Sequence, residues 1–239
     1  MTPNKKRILG ITLARAGSKG VAKKNMRLLA GKPLLDYTLD LLPEIVGLDE
    51  FIVSTDSPEI RDHARSKNIS VPFLRPIELS TDYSSSVSAL KHAVLFMENK
   101  LGVKYSYVVE LMTTNPLKTA YDVNFCIEKL TSENLDSVIA VHRVLDHHPA
   151  RIKKIENDRL VDFCVTEIPE SRRQDLVPHA YIRSGAIYAM SRNLVVEDEL
   201  RYGTPKSAPY ILPENRAINI DTELDFQLAE IIMKARNIE

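Results

Sequence analysis

The run Arg15-Ala-Gly-Ser-Lys-Gly-Val-Ala-Lys-Lys-Asn25 gathers four cationic side chains and two glycines, with no acid. Those are the parts of a phosphate cradle. Glycine lets the backbone approach a ligand closely, and Arg and Lys offset the charge of a polyphosphate. Neither G-x-x-x-x-G-K-[ST] nor G-x-G-x-x-G can be laid over the run, so it is neither a Walker loop nor a dinucleotide fingerprint. A solvated connection between a strand and a helix would have a similar composition. The position of the run favours a ligand. It follows the apolar stretch Ile8-Leu-Gly-Ile-Thr-Leu-Ala14, and open α/β sheets bind ligands at the carboxyl ends of their strands.

Other familiar reactive groupings are sparse. His147-His148 has no third ligand at zinc spacing and reads as loop packing. Cys126 and Cys164 form no ligand pair; Cys126 shares a helical face with Val123, Ile127 and Leu130. Both cysteines read as reduced and structural. No Ser-His-Asp or Cys-His constellation stands out. Thr222-Glu-Leu-Asp225 has the pattern of a capping box, which would turn the Asp225 side chain back to a helix start.

The elements that must position the cradle follow from periodicity. Strands are expected at Ile8–Ala14, Phe51–Ser54, Val71–Leu74, Tyr107–Leu111, Ser137–Val141 and Ala186–Met190. Pro33 fits the first turn of a helix carrying Leu34, Leu35, Thr38, Leu41 and Leu42. Ser57-Pro58-Glu59 reads as cap, first turn and acid of another helix. Val87, Leu90, Val94 and Met97 form one helical stripe, and Leu224, Leu228, Ile231, Ile232 and Ala235 form a second; both read as core faces. Alternating strands and helices predict a mostly parallel α/β sheet covered on both sides. Arg151–Phe163 breaks the rhythm and reads as a two-stranded hairpin around Glu156-Asn-Asp158, followed by the polar stretch Thr166–Pro178. Such a hairpin needs something to pack on.

A length of 239 residues suits one α/β domain, residues 1–239, with residues 142–181 as an inserted arm. The net charge of zero gives no global attraction to nucleic acid or to an anionic membrane. The first apolar run stops at Arg15, too short to span a membrane, and lacks a small-residue cleavage site. A soluble cytoplasmic protein, without nucleic-acid or membrane partners, is the expectation.

The cradle also resembles a known signature. Leu13, Ala14, Arg15, Gly17, Ser18, Lys19, Gly20, Lys24 and Asn25 match L-x-A-R-x-G-S-K-G-x-x-x-K-N of the CMP-sialic acid synthetases, the acylneuraminate cytidylyltransferases. Leu74-Arg-Pro-Ile-Glu-Leu79, Arg173-Gln-Asp-Leu176, Gly185-Ala-Ile-Tyr188 and Ile220-Asp-Thr-Glu-Leu-Asp225 follow in the family's order. Together they cover almost the whole chain. The resemblance implies a Rossmann-like nucleotidyltransferase with a small dimerisation hairpin. It implies CTP and a nine-carbon keto-acid sugar as substrates, Mg²⁺ as cofactor, and a homodimer whose 142–181 arm delivers a basic residue to the partner's site.

Site residues follow from the same resemblance. Arg15, Ser18, Lys19 and Lys24, with Gly17, would hold the triphosphate. Arg15 or Lys19 would stabilise charge on the leaving pyrophosphate. The Asn25 amide suits a base or ribose. Arg75 matches the arginine that reads cytosine, although a surface ion pair suits it too. Ser86 matches a serine beside the base and also sits where the following helix needs a cap. Asp221 is the best metal ligand, because Mg²⁺ is content with one or two carboxylates plus waters and phosphate oxygens. Asp56 is a second metal candidate, or else a turn residue. On the sugar side stand Met112, Arg173, Ser184 and Tyr188, with Arg172 and Arg183 competing with Arg173.

The chain departs from the family in three places. The usual D-x-D is Asn219-Ile-Asp221, so Asn219 would ligate weakly through a neutral oxygen. The usual Q-P-T-S-P-L-R is Met112-Thr-Thr-Asn-Pro-Leu-Lys118. The usual Asn before Gly-Ala-Ile-Tyr is Ser184. Changed sugar contacts beside kept nucleotide contacts imply a relative of sialic acid, such as legionaminic or pseudaminic acid. The alternatives are a 3-deoxy-octulosonate-type sugar, or a nucleotide-binding regulator without turnover.

Overall fold

The computed structural model describes residues 6–168 and 171–236. In chain order the strands and helices are β1 (Ile8–Leu13), β2 (Leu28–Leu29), β3 (Lys32–Pro33), α1 (Asp36–Leu39), β4 (Glu50–Ser54), α2 (Pro58–Ser66), α3 (Ser86–Leu101) and β5 (Tyr107–Leu111). They continue as α4 (Ala120–Ser132), β6 (Ser137–Val144), β7 (Lys153–Glu156), β8 (Arg159–Asp162), β9 (Ala180–Ser191), α5 (Arg192–Val196), β10 (Ser207–Ile211) and α6 (Glu223–Arg236). The main sheet has the order β10-β6-β9-β5-β1-β4. Only β9 runs antiparallel to its neighbours; the other pairs are parallel. This is the mostly parallel α/β architecture that the periodicity predicts.

β1 and β5 read as nearly unbroken apolar runs because both of their faces are covered. On one face, α3 supplies Leu90, Val94 and Met97 and α5 supplies Leu194 and Val195, against Ile11, Val108 and Ile139. On the other, Val123, Cys126, Ile127 and Leu130 of α4 pack on Val109, Leu111 and Val138. The chain leaves β1 with β4 on one side and β5 on the other. The sheet therefore reverses its direction of growth at β1, and a crevice opens there at the strand ends.

Several elements differ from expectation. Val71–Leu74 makes no strand: Leu74 forms one isolated bridge with Thr55, and Ser70 just before the run forms another with Ile52; Pro72 has no N–H to give a ladder. Pro33 does not open a helix. It lies in β3, folded back on β2 through Ala30 and Gly31, both at positive φ, and the helix is delayed to Asp36. β10 was masked by Pro209, which is tolerated because β10 is an edge strand. The α6 stripe is not a core face: Leu224, Leu228 and Ile231 are 73%, 48% and 66% exposed, while Phe226 and Ala229 are buried. Cys126 is buried but Cys164 is exposed, so only the first is a core residue.

β6 and β9 run on beyond the sheet as a ribbon, with Val141–Val144 opposite Ala180–Arg183, after an irregularity near Ile139 and Val141. Gly185 takes φ +61° beside it. The expected hairpin is β7–β8, with Asn157 and Asp158 both left-handed at its tip, the geometry of a tight two-residue turn. His148 packs this arm, its ring nitrogens meeting Pro178 O at 2.8 Å and Ala150 N at 3.2 Å. Pro169 and Glu170, within the polar stretch Thr166–Pro178, lie outside the described residues. No helix among the described residues is long and apolar enough to cross a membrane.

Candidate active site

The cradle follows β1 and winds past Gly17 and Gly20 without forming a helix at once. Lys23 turns left-handed at φ 48° before the 3-10 turn Lys24–Met26. Ser18 Oγ donates to Val21 O inside the loop. Two side chains pin the start of the run. Asp56 Oδ1 accepts from Ala16 N at 2.8 Å. Asn25 Nδ2 donates to Arg15 O at 3.0 Å, while its Oδ1 accepts from Thr113 Oγ1 at 2.7 Å. Both ends of the Asn25 amide thus brace the cradle against the end of β5.

A cavity of about 460 Å³ opens at the ends of β1 and β5. One wall is the cradle, contributing Arg15, Gly17, Ser18, Lys19, Lys24 and Asn25. The facing wall brings Arg75 and Ser86, with Thr81, Asp82 and Ser84. Glu110 and Met112–Thr114 form the floor, and Asp221 closes one side. Ten of the residues singled out from the sequence therefore meet around one space. Ser86 is the first helical residue of α3, and the cap falls one place earlier, where Ser85 Oγ accepts from Ser88 N at 3.1 Å.

Charges are arranged in pairs across this space. Arg15 Nη1 and Lys19 Nζ reach Asp82 at 3.0 and 3.1 Å. Hydrogen bonding from Lys19, with Arg15 adding to it, holds the Asp82 carboxyl below its ordinary range. Arg75 is buried; its Nε donates to Ser80 Oγ at 3.0 Å, and its guanidinium lies 3.9 Å from Asp56. Asp56 is thus committed to the cradle and Arg75. Lys24 Nζ donates to Ile220 O at 2.7 Å and lies 3.3 Å from Asp221 Oδ1.

The segment carrying Asp221 is anchored by backbone and side chains. Ile220 N donates to Thr114 O at 2.8 Å. Asp225 Oδ2 accepts from Thr222 N at 2.8 Å and from Asp221 N at 3.1 Å, the expected capping box. Asn219 Nδ2 donates to Asp221 Oδ2, and Asn219 Oδ1 is buried without a hydrogen-bond partner. That oxygen faces Gly185, where any Cβ would overlap it. Gly20 approaches equally closely: a methyl there would overlap the carbonyl oxygen of Asp221.

Four expected residues do not line the cavity. Asn219 stands just behind Asp221. Ser184 is fully buried and donates to Ala140 O at 3.0 Å. Tyr188 is buried in the core below the floor. Arg173 is exposed in the arm, 3.5 Å from Asp146. Its near competitors are also engaged elsewhere, Arg172 with Asp175 and Arg183 over the Tyr202 ring.

Three residues escaped the sequence reading. Asp82 carried no signal beyond a polar loop. Glu110 did: it is the one charge in Tyr107-Val-Val-Glu-Leu111. Burial drives its carboxyl upward, and Arg201, 2.9 Å away, opposes this. Lys118 is the third. It is fully buried and donates to Thr38 Oγ1 and Met112 O at 2.7 Å and to Asn115 O at 2.9 Å. It thereby holds the loop that forms the cavity floor.

Burial pushes the Lys118 ammonium down to about 7 from 10.5. Below pH 7 the lysine is charged in folded and unfolded chains alike, and the folded state carries the full desolvation penalty. Between these values the folded chain releases a proton that the unfolded chain keeps, so stability rises with pH. The unfolding free energy of the wild type minus that of Lys118→Met is therefore expected to climb across this window. Urea titrations giving a flat difference would refute it.

Comparisons with known proteins agree with this geometry. The family model described as Cytidylyltransferase matches residues 9–211. The chain is 30% identical over 236 residues to a CMP-N,N'-diacetyllegionaminic acid synthase of Legionella pneumophila, covering 95% of this chain and 97% of the relative. It is 29% identical to a pseudaminic acid cytidylyltransferase of Campylobacter jejuni, covering 96% and 97%. Among solved structures, CMP:2-keto-3-deoxy-manno-octonic acid synthetase complexed with CTP superposes with a TM-score of 0.69 at 16% identity, covering 97% of this chain and 100% of that one. That likeness shows the fold.

Proposed function

The chain belongs to the cytidylyltransferase family, and from that premise we propose that it joins CTP to a nonulosonic acid of the legionaminic or pseudaminic kind. The products are a CMP-sugar and pyrophosphate. The observation that carries this reading is the single cavity shared by Arg15, Lys19, Lys24, Arg75 and Asp221, in a chain whose similar relatives carry these sugar names over nearly their full length.

In this reaction a sugar hydroxyl attacks the α-phosphorus; the new P–O bond forms as the bond to pyrophosphate breaks. The protein contributes positioning and charge stabilisation. Arg15 and Lys19 take the charge that develops on the leaving pyrophosphate. Arg75, buried and held by Ser80, offers donors to the cytosine carbonyl and ring nitrogen. Met112 removes a hydrogen-bonding amide from the sugar side, which suits a sugar other than sialic acid itself.

Mg²⁺ belongs to the proposal as well. Among the described residues no cluster of three or more His, Cys, Asp or Glu could hold an ion. An ion here leans on substrate oxygens, as Mg²⁺ commonly does. The residues fit that role. Asp221 has a 62% exposed side chain at the cavity edge, and the unpartnered oxygen of Asn219 stands behind it. Turning the Asn219 amide over, an assignment that hydrogen bonding decides, would put its oxygen beside the carboxylate. Asp221 and Asn219 would hold the ion, which when bound offsets phosphate charge.

Pyrophosphate release from CTP and a panel of nonulosonic acids tests the assignment. Tight CTP binding without release from any of them would favour the regulator. Arg75→Ala is expected to weaken CTP binding more than UTP or ATP binding. Arg15→Ala should weaken all three alike. Equal losses for Arg75→Ala would sink its assignment to the base.

A homodimer is the third part of the proposal. The arm exposes Ile155, Leu160, Phe163, Ile168, Val177 and Ile182, more apolar surface than a free arm would keep. Light scattering at micromolar concentration is expected to give twice the chain mass. Mixed Arg173→Ala and Asp221→Ala subunits should recover some activity through one intact hybrid site. A monomer only would refute both.

A further inference from the structure

The cavity floor holds a buried charge that triphosphate chemistry does not use. Glu110 is 2% exposed on β5, yet it lines the cavity. Arg201, from the segment after α5, donates to Glu110 Oε2 at 2.9 Å. Its guanidinium lies 4.4 Å from the centre of the Tyr188 ring. Tyr188 is the cross-strand partner of Glu110 on β9. The Tyr202 ring follows at 6.3 Å, with the Arg183 guanidinium 4.8 Å from its centre. One stack of cations and rings thus ends in a carboxylate that opens on the cavity.

The fold does not require this arrangement. Replacing a buried ion pair by apolar residues of similar volume is often neutral or stabilising. The neighbours on this face of the sheet, Ile11, Val108 and Ile139, are apolar. CTP does not require it either, since a carboxylate repels phosphates. The cavity already presents its cations on the cradle and Arg75 on the facing wall. What remains is the second substrate, on the side of the floor where Met112 follows Glu110 at i+2 on the same strand face.

We propose that Glu110, held by Arg201, is a specificity-determining residue for the sugar. Its carboxylate accepts hydrogen bonds from hydroxyl or acylamino N–H groups of the acid. Its charge also turns the sugar's own carboxylate away from the floor. Met112 supports this division: it contributes an apolar contact beside Glu110, so the strand offers one acceptor and one greasy neighbour. Arg201 is a positioning residue. It fixes the Glu110 rotamer while Tyr188 holds Arg201 in place. This inference rests on the reading that the second substrate is a nonulosonic acid.

Two variants separate the pair's role in recognition from a role in folding. Glu110→Gln keeps the shape and removes the charge. The double variant Glu110→Leu with Arg201→Leu removes both charges, so neither is left buried alone. Pyrophosphate release gives the KM for each acid, and calorimetry gives the CTP and UTP affinities. Losing a hydrogen bond to a charged group should raise the sugar KM by about tenfold or more in both variants. CTP affinity should stay within about twofold, the scatter of a surface change. The preference among the acids should shift. Unchanged sugar KM in both variants overturns the proposal. So does a loss of CTP-over-UTP discrimination with sugar KM unmoved, which would assign Glu110 to the cytosine amine. If the wild type turns over none of the acids, the parent reading fails and this one with it; wild-type turnover with unmoved KM values refutes this one alone.

Discussion

Asp221→Asn is expected to abolish pyrophosphate release. The other carboxylates of the cavity are committed elsewhere: Asp82 to Arg15 and Lys19, Glu110 to Arg201. Asp221 is the more exposed, with 62% of its side chain accessible against 39% for Asp82, and is held in the site by one 3.3 Å contact to Lys24; its neighbour Asn219 contributes only a neutral amide. Mg²⁺ is a hard cation that favours charged oxygens. Removing the carboxylate forfeits several kcal/mol of charge stabilisation, which corresponds to a loss of about a thousandfold or more in kcat. Asn219→Asp should act in the opposite sense and lower the Mg²⁺ concentration needed for half-maximal rate. Near-normal turnover by Asp221→Asn at modest Mg²⁺ would move the metal elsewhere. Asp56 would be the next residue to test, although it is occupied by Ala16 N.

Asp122→Ala should destabilise the fold by about 3–5 kcal/mol, the range for breaking one side of a buried ion pair. Asp122 is fully buried in the first turn of α4. Its carboxylate accepts from Thr119 N at 2.7 Å, from Thr119 Oγ1 at 2.9 Å and from both terminal nitrogens of Arg216, with Tyr210 completing the group. Burial alone would raise this carboxyl. Hydrogen bonding from Arg216 and Tyr210 outweighs it and holds the group below its ordinary value. The folded pKa is the lower one, so the stabilisation is present above the unfolded carboxylate range and is lost as pH falls through the folded value. Urea unfolding should therefore show a smaller gap between wild type and Asp122→Asn at pH 3 than at pH 7. A gap that does not narrow would deny the linkage. Arg216 also lies just before the segment bearing Asp221, and its carbonyl accepts from Asn115 at 2.9 Å.

The cradle was legible because one continuous run carries both its charge and its glycines. Asp221 was legible because it stands in the matched run Ile220-Asp-Thr-Glu-Leu-Asp225, directly ahead of a capping box. The facing wall was legible only at Arg75 and Ser86. Asp82 joins the site across the cavity mouth through a loop with no periodicity to place it. Ser184 and Tyr188 matched a sugar-side motif, yet the strand turns both inward, one to Ala140 and one to the core. A period of two says that residues alternate, not which face a bulged strand gives to a cavity. The α6 stripe failed for a similar reason. Leu224, Leu228 and Ile231 satisfy a helical spacing, but packing buries the neighbouring line of Phe226 and Ala229. Buried ionic groups such as Glu110 and Lys118 stand out in the sequence only as charges in apolar company, and their partners come from distant segments.

Gly20 presses on the backbone of Asp221 with no side chain between them. The two segments are 201 residues apart in the chain, yet here they form one mechanical joint, with the Lys24 ammonium bound to the carbonyl of Ile220 as a second fastening. A joint of this kind couples the two ends of the site, and coupling between binding sites is reciprocal. Whatever factor an occupant of the cradle adds to affinity at the Asp221 segment, an occupant of that segment returns to the cradle. Polyphosphate and cation would then load as a cooperative pair, each tightening the hold on the other.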